Sequence, residues 1–177
     1  MRVISGKYKG KRFSPPKKFP SRPTTDMAKE ALFSILDAKV YFENLDILDL
    51  FSGTGNISLE FLSRGVGKVI SVDSHFVSWK FQQKTADSLN EPSWQVLKQD
   101  AFTYLENTNQ QFDIIFADPP YGFADLEKIP AMVFEKNILV DDGMLIVEHS
   151  SRTSLKGVPH FKKSRDYGGV SFSFFEH

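Results

Sequence analysis

Between residues 46 and 148 the chain alternates short apolar runs with longer stretches whose apolar positions recur at helical spacing. The apolar runs predict strands at Asp46–Leu50, Lys68–Asp73, Trp94–Lys98, Phe112–Ala117 and 144–148. The stretches between them predict helices at 57–63, 75–89, 101–107 and 125–136. Strands separated by helices imply a mostly parallel sheet covered on both faces, an α/β fold. Beyond residue 150 the pattern changes. Segments 157–165 and Val170–Phe175 flank Asp166-Tyr167-Gly168-Gly169 and predict a hairpin, so the sheet is expected to end in antiparallel strands. At the other end, residues 2–13 alternate around Gly6-Lys7-Tyr8-Lys9-Gly10 and predict a small β-hairpin. Pro15, Pro16, Pro20 and Pro23 then prevent regular structure. Thr24 or Thr25 can cap a following helix, in which Ala28, Ala31, Leu32, Ile35 and Leu36 share one side.

The 177 residues suit one domain, read as a basic arm (1–25) and a catalytic core (26–177). With 41% hydrophobic and 25% charged residues the balance is that of a soluble globular protein. There is no apolar run of about 18 residues, so no membrane span is expected. An N-terminus without an apolar signal segment makes the cytoplasm the expected location. No cysteine is present, which excludes disulfides and thiolate metal sites. The four histidines are scattered without ligand spacing, and no metal is expected. The net charge is zero but unevenly spread. Residues 1–25 hold eight Lys or Arg and no acid, leaving 14 basic against 22 acidic residues elsewhere. Such asymmetry points to a polyanionic partner, with Arg2, Lys7, Lys9, Lys11 and Arg12 as candidate RNA contacts.

The strongest local motif is Asp49-Leu50-Phe51-Ser52-Gly53-Thr54-Gly55-Asn56-Ile57, which leaves a strand and enters a helix. Glycines let the backbone turn against a ligand, and the helix start offers free N–H groups. A dinucleotide cradle would need a third glycine where Ser58 stands, so NAD is disfavoured. An acid at the strand end, Asp49, suits a ligand with a cationic amino group, as in S-adenosyl-L-methionine. Asp73 ends the next strand, where an acid accepts from ribose hydroxyls, and Asp100-Ala101 follows the third, where an acid can accept from an adenine amine. The candidate cofactor contacts are therefore Asp49, Phe51, Ser52, Gly53, Thr54, Gly55, Asp73, Asp100 and Ala101.

The fourth strand runs into Asp118-Pro119-Pro120-Tyr121, the candidate catalytic set. An aromatic amine is a poor nucleophile because its lone pair is delocalised into the ring. Asp118 and the Pro119 carbonyl can accept its two N–H groups and favour the geometry in which the lone pair is free. The prolines fix the carbonyl's direction, and Tyr121 offers a face on which an extruded base can stack.

These motifs, together with Arg2-Val3-Ile4-Ser5-Gly6-Lys7-Tyr8-Lys9-Gly10-Lys11, Arg22-Pro23-Thr24-Thr25-Asp26, Lys29-Glu30-Ala31-Leu32-Phe33 and Leu62-Ser63-Arg64-Gly65, resemble the bacterial 16S ribosomal RNA guanine-N2 methyltransferases of the RsmD type over nearly the whole chain. Met27 stands where that family often has arginine. The resemblance implies a seven-stranded class I methyltransferase sheet with an antiparallel last strand. It implies S-adenosyl-L-methionine as cofactor and methylation of one guanine of 16S ribosomal RNA, within the small ribosomal subunit or its assembly intermediate. It adds Arg22 and Thr24 as contacts that close the cofactor pocket, and a monomer is expected. Three alternatives stay open: a DNA adenine-N6 methyltransferase, a protein-glutamine methyltransferase, and a non-catalytic RNA-binding module on the same fold.

Overall fold

A computed structural model describes residues 1–20 and 24–177 of the chain. Helix α1 (Asp26–Asp37) begins at Thr25, whose hydroxyl accepts from Ala28 N, as the capping reading requires. There follow β1 (Asp46–Leu50), α2 (Asn56–Ser63), β2 (Lys68–Asp73), α3 (Phe76–Leu89), β3 (Trp94–Lys98), α4 (Ala101–Asn107), β4 (Phe112–Ala117), α5 (Lys128–Glu135), β5 (Leu139–Ser150), β6 (Phe161–Tyr167) and β7 (Val170–Phe175). One sheet holds all seven strands in the order β3-β2-β1-β4-β5-β7-β6. The first five run parallel, and β7 inserts antiparallel between β5 and β6. This is the α/β architecture that the sequence pattern predicts, with the seven-stranded class I methyltransferase sheet that the resemblance implies.

Period-two alternation divides the core between the two faces of the sheet. Ile47, Val69, Ile114 and Ile146 pack against α1 and α2 through Leu32, Phe33 and Phe61. Their neighbours Leu48, Ile70, Ile115 and Leu145 pack against α4 and α5 through Leu105, Ile129 and Val133. Central strands covered on both faces read as unbroken apolar runs, which is why they were legible.

The structure corrects the sequence reading at α5, which begins at Lys128 rather than 125, and in three further places. β5 begins at Leu139, not 144, because a register irregularity lets Leu139 pair Phe112 before Met144 pairs Ile114. β6 starts at Phe161, later than the expected 157, and extends to Tyr167, so the turn to β7 is Gly168-Gly169 alone. The N-terminal hairpin is reduced to a single antiparallel bridge between Arg2 and Arg12. Gly6 and Gly10 both take left-handed φ and fold the segment into tight turns. Gly6 also lies so close to α2 that a Cβ there would collide with the Ser63 carbonyl, which accepts from Lys7 N at 2.7 Å. The segment is thus clamped onto the back of α2.

Candidate active site

The carboxyl ends of the parallel strands open into one cavity of about 830 Å3, the position that doubly wound sheets use for ligands. Asp118 and Pro119 lie on its wall where β4 ends, with Tyr121 at the rim, 88% exposed. The turn is held by Asp118 N donating to Leu50 O at 3.3 Å and Phe123 N donating to Pro120 O at 3.0 Å. Phe51, Phe102 and Phe123 stack and edge against one another beside it, giving the cavity an apolar side.

A smaller recess of about 40 Å3 adjoins it, lined by Thr24, Asp49, Ser52, Gly53, Thr54 and Asp118, with Phe51 shared by both spaces. Phe51 takes a left-handed φ of 58°, a conformation costing a non-glycine residue about 1–3 kcal/mol and recurrent at functional sites. The loop is held from below: Gly53 N donates to Asp73 Oδ2 at 2.8 Å, and Gln82 Nε2 donates to Gly53 O at 2.8 Å. Asp49 lies fully buried under α2. Its Oδ2 accepts from Ser58 N at 3.1 Å and from Ser58 Oγ at 2.5 Å. Behind Ser58 the bonds continue through Ser71 Oγ to Trp94 Nε1. One oxygen of Asp49 therefore caps the helix, and the other has no protein partner among the described residues.

Asp73 accepts from His75 N at 2.8 Å with its second oxygen, which His75 Nδ1 also meets at 3.3 Å, and the residue lines the cavity. Asp100 caps α4 by accepting from Thr103 N at 2.9 Å through Oδ1 alone, and both Asp100 and Ala101 line the cavity. Gly55 lines neither space. A Cβ there would meet Trp94 Cζ2 at 2.7 Å, so this glycine lets the loop pack against β3 rather than against a ligand. Thr24 lines both spaces, and Arg22 falls outside the described residues. In the basic segment, Arg2 pairs with Asp26 and Glu30, and Lys7 pairs with Glu91. Lys9, Lys11 and Arg12 are exposed, with no ion pair among the described residues.

Sequence reasoning missed Glu148. It stands one residue beyond Val147, which pairs with Ala117, so it lies beside Asp118 where the parallel pairing of β4 and β5 ends, although β5 itself runs on to Ser150. Glu148 is only 6% exposed, and its carboxylate's sole hydrogen bond among the described residues is from Thr24 Oγ1 to Oε2 at 3.3 Å. The rule that found the other acids, a carboxylate at a strand's carboxyl end, would have found this one. His149 also borders the cavity, with its ring held by Ser173 Oγ and the Ser150 carbonyl.

No cation among the described residues answers these carboxylates. Burial pushes the Asp49 carboxyl up to about 7, against the hydrogen bonds from Ser58. Burial also lifts Glu148 to about 7, opposed only by the Thr24 hydroxyl. Asp118 is held well above the usual carboxylate range, first by burial and then by the charges of Glu148 and Asp49. A concentration of raised carboxyls in a cleft marks a site whose missing partners are a ligand's donors and positive charges.

The family described as Conserved hypothetical protein 95 matches residues 1–176. The chain belongs to this family. A Bacillus subtilis protein, YlbH, described as a candidate rRNA methyltransferase, is 34% identical over 88% of this chain and 85% of its own length. The ribosomal RNA small subunit methyltransferase D of Escherichia coli K12 is 29% identical over 90% of this chain and 79% of its own. Among solved structures, the Escherichia coli protein yhhF, described as a candidate methyltransferase, superposes with a TM-score of 0.88 at 25% identity, over 100% of this chain and 97% of that one.

The residues present fit S-adenosyl-L-methionine. The free oxygen of Asp49 and the loop N–H groups suit an amino acid moiety, and Asp73 suits ribose hydroxyls. Asp100 and Ala101 beside Phe102 suit an adenine ring. Ser78 Oγ, on the cavity wall, is buried without a partner among the described residues, as a group awaiting a polar ligand would be. Among the described residues no group of three His, Asp or Glu is placed to hold a metal ion, and no helix is long and apolar enough to cross a membrane.

Proposed function

We propose that the protein transfers a methyl group from S-adenosyl-L-methionine to the exocyclic N2 amine of a guanine in 16S ribosomal RNA, on the small subunit or its assembly intermediate. The observation that carries this is Asp118-Pro119 at the end of β4, its carboxyl raised, on the wall of the cavity that Asp73 and Asp100 line and of the adjoining recess that the glycine loop lines. The names of the relatives support ribosomal RNA as the substrate, and so does the exposed cluster Lys9, Lys11 and Arg12.

The bound cofactor supplies an electrophilic methyl on a sulfonium. Asp118 accepts one N–H of the amine and the Pro119 carbonyl the other, orienting the nitrogen lone pair towards the methyl. As the C–N bond forms, the bond from that methyl to sulfur would break, its electron pair leaving a neutral thioether, and the nitrogen would acquire the positive charge and become acidic. One proton leaves it for Asp118, whose raised pKa suits it to receive that proton. Tyr121, exposed at the rim, stacks on the extruded base.

The test is incubation with isotopically labelled S-adenosyl-L-methionine and small subunits from cells lacking the gene, with naked ribosomal RNA and genomic DNA in parallel. Digestion to nucleosides followed by mass spectrometry should find label in N2-methylguanosine. Label in N6-methyladenosine, or its deoxy form, replaces the target. No label despite cofactor binding would overturn the catalytic reading.

A further inference from the structure

Resting on that reading, we infer that Glu148 reads the Watson–Crick edge of the target base. Its free carboxylate oxygen accepts from the ring N1–H of guanine while Asp118, on the neighbouring strand, holds the exocyclic amine.

The register of β4 and β5 sets the two carboxylates next to each other, and both line the same cavity. Glu148 is buried, meets no cation among the described residues, and uses only Oε2, towards Thr24. A buried carboxylate with an unused oxygen is costly unless a ligand supplies a donor. Two such groups side by side require two adjacent donors, and only one base offers them. Guanine presents N1–H next to its N2 amine. Adenine and cytosine each present an amine beside a ring nitrogen lone pair, which Glu148 would repel, and uracil has no amine. Asp118 alone would accept any exocyclic amine; the pair selects guanine. Glu148 is thus a specificity residue that touches the base, and Thr24 is the residue that orients it.

The experiment uses the small-subunit substrate with its methylated guanosine replaced by 2,6-diaminopurine riboside. That base keeps the N2 amine but turns position 1 from donor to acceptor. The wild-type protein should favour guanosine by about 5- to 150-fold, the discrimination that one good base-edge contact provides. Glu148→Gln should slow guanosine methylation and bring the ratio close to one, because its carboxamide N–H can donate to the diaminopurine ring nitrogen. Each ratio is taken within one protein preparation, so partial unfolding does not change it. Two results overturn the role of Glu148: a wild-type protein that methylates both bases equally, or a Glu148→Gln variant that keeps the wild-type ratio. A wild-type protein that makes no N2-methylguanosine overturns the guanine reading itself, and this inference falls with it.

Discussion

Two buried glutamates in this molecule sit in opposite surroundings. Glu60, on α2, is 0% exposed and saturated with donors. It accepts from Ile4 N at 2.9 Å, Ser5 N at 3.0 Å and Arg64 Nε at 3.0 Å, and it lies 3.4 Å from Lys29 Nζ. Lys29, itself 0% exposed, also donates to Arg2 O at 2.5 Å and to Asn56 Oδ1 at 2.7 Å. Glu148 is buried almost as deeply but has one weak protein donor and a second carboxylate as neighbour. Glu60 therefore stitches the N-terminal segment to the back of the cofactor loop, and its energetics close within the protein. Those of Glu148 and Asp118 close only when a ligand brings its own donors. Burial alone does not mark a functional acid; what matters is whether the fold has already answered its charge.

The largest expected effect comes from breaking the closed network. Lys29→Met leaves Glu60 buried beside a single Arg64, and removing one member of a buried ion pair costs about 3–5 kcal/mol. The drop should appear in the urea unfolding midpoint. A loss of only a few tenths of a kcal/mol would mean that the N-terminal segment is not anchored through this pair.

Breaking the open pair should do the reverse. Asp118→Asn removes a charge that burial and Glu148 disfavour, so stability should hold or rise at neutral pH. Methyl transfer should fall about 10²–10³-fold, the scale of losing one group that stabilises developing charge. Cofactor affinity, followed by titration calorimetry, should stay nearly unchanged. A variant that keeps wild-type activity would remove Asp118 from the chemistry.

The same comparison explains what was legible in the sequence. Central strands were readable because both faces are covered and period-two alternation gives way to continuous apolarity, as in Phe112–Ala117. Asp73, Asp100 and Asp118 were readable because a strand end in a parallel sheet is a fixed address. Glu148 obeys the same rule. It closes an apolar run, where an acid reads as the end of the strand and nothing more. At Gly55 the residue type does not distinguish close approach to a ligand from close approach to Trp94. The pairing of Lys29 with Glu60 was invisible, because it joins α1 to α2 across the fold and no local pattern encodes it. The expected hairpin is short: left-handed Gly6 and Gly10 turn the chain between its arms, and pairing is confined to Arg2–Arg12 with the flanking bonds Val3 N to Lys11 O and Phe13 N to Met1 O.

The open carboxylates also make stability depend on pH. Asp49 and Glu148 have ordinary values of 3.8 and 4.5 when exposed and about 7 when folded. Below about pH 4 both states hold these protons, and the stability they contribute is fully present. Between about 4 and 7 only the folded state holds them, so the ligand-free protein loses stability as pH rises, by at most about 1.4 kcal/mol per pH unit for each group. Above about 7 that contribution is gone. Urea midpoints from pH 4.5 to 8, compared between the wild type and Asp49→Asn/Glu148→Gln, should show this slope in the first protein and a shallower one in the second, where the buried Asp118 carboxyl still titrates. Equal slopes would place the titration on other groups.

The smallest effect concerns the basic segment, where the same distinction holds at the surface. Arg2 and Lys7 already have acidic partners, whereas Lys9, Lys11 and Arg12 are exposed without one among the described residues. Charges already answered have less to offer a phosphate, since each partner must first be given up. Replacing Lys9, Lys11 and Arg12 with glutamine should therefore flatten the salt dependence of RNA binding by about 0.7–0.9 in log–log slope for each phosphate that is no longer neutralised. Replacing Arg2 and Lys7 should leave that slope nearly as it was; the exposed Arg2 pairs are worth at most about 1 kcal/mol each, and losing Lys7 costs more because it takes a donor from the buried Glu91. Binding isotherms at several salt concentrations separate the outcomes. If the triple variant keeps the wild-type slope, the three exposed charges are solvated and idle. If Arg2 and Lys7 flatten it equally, the pairs to Asp26, Glu30 and Glu91 open on binding, and the segment leaves its seat on α2 to meet the RNA.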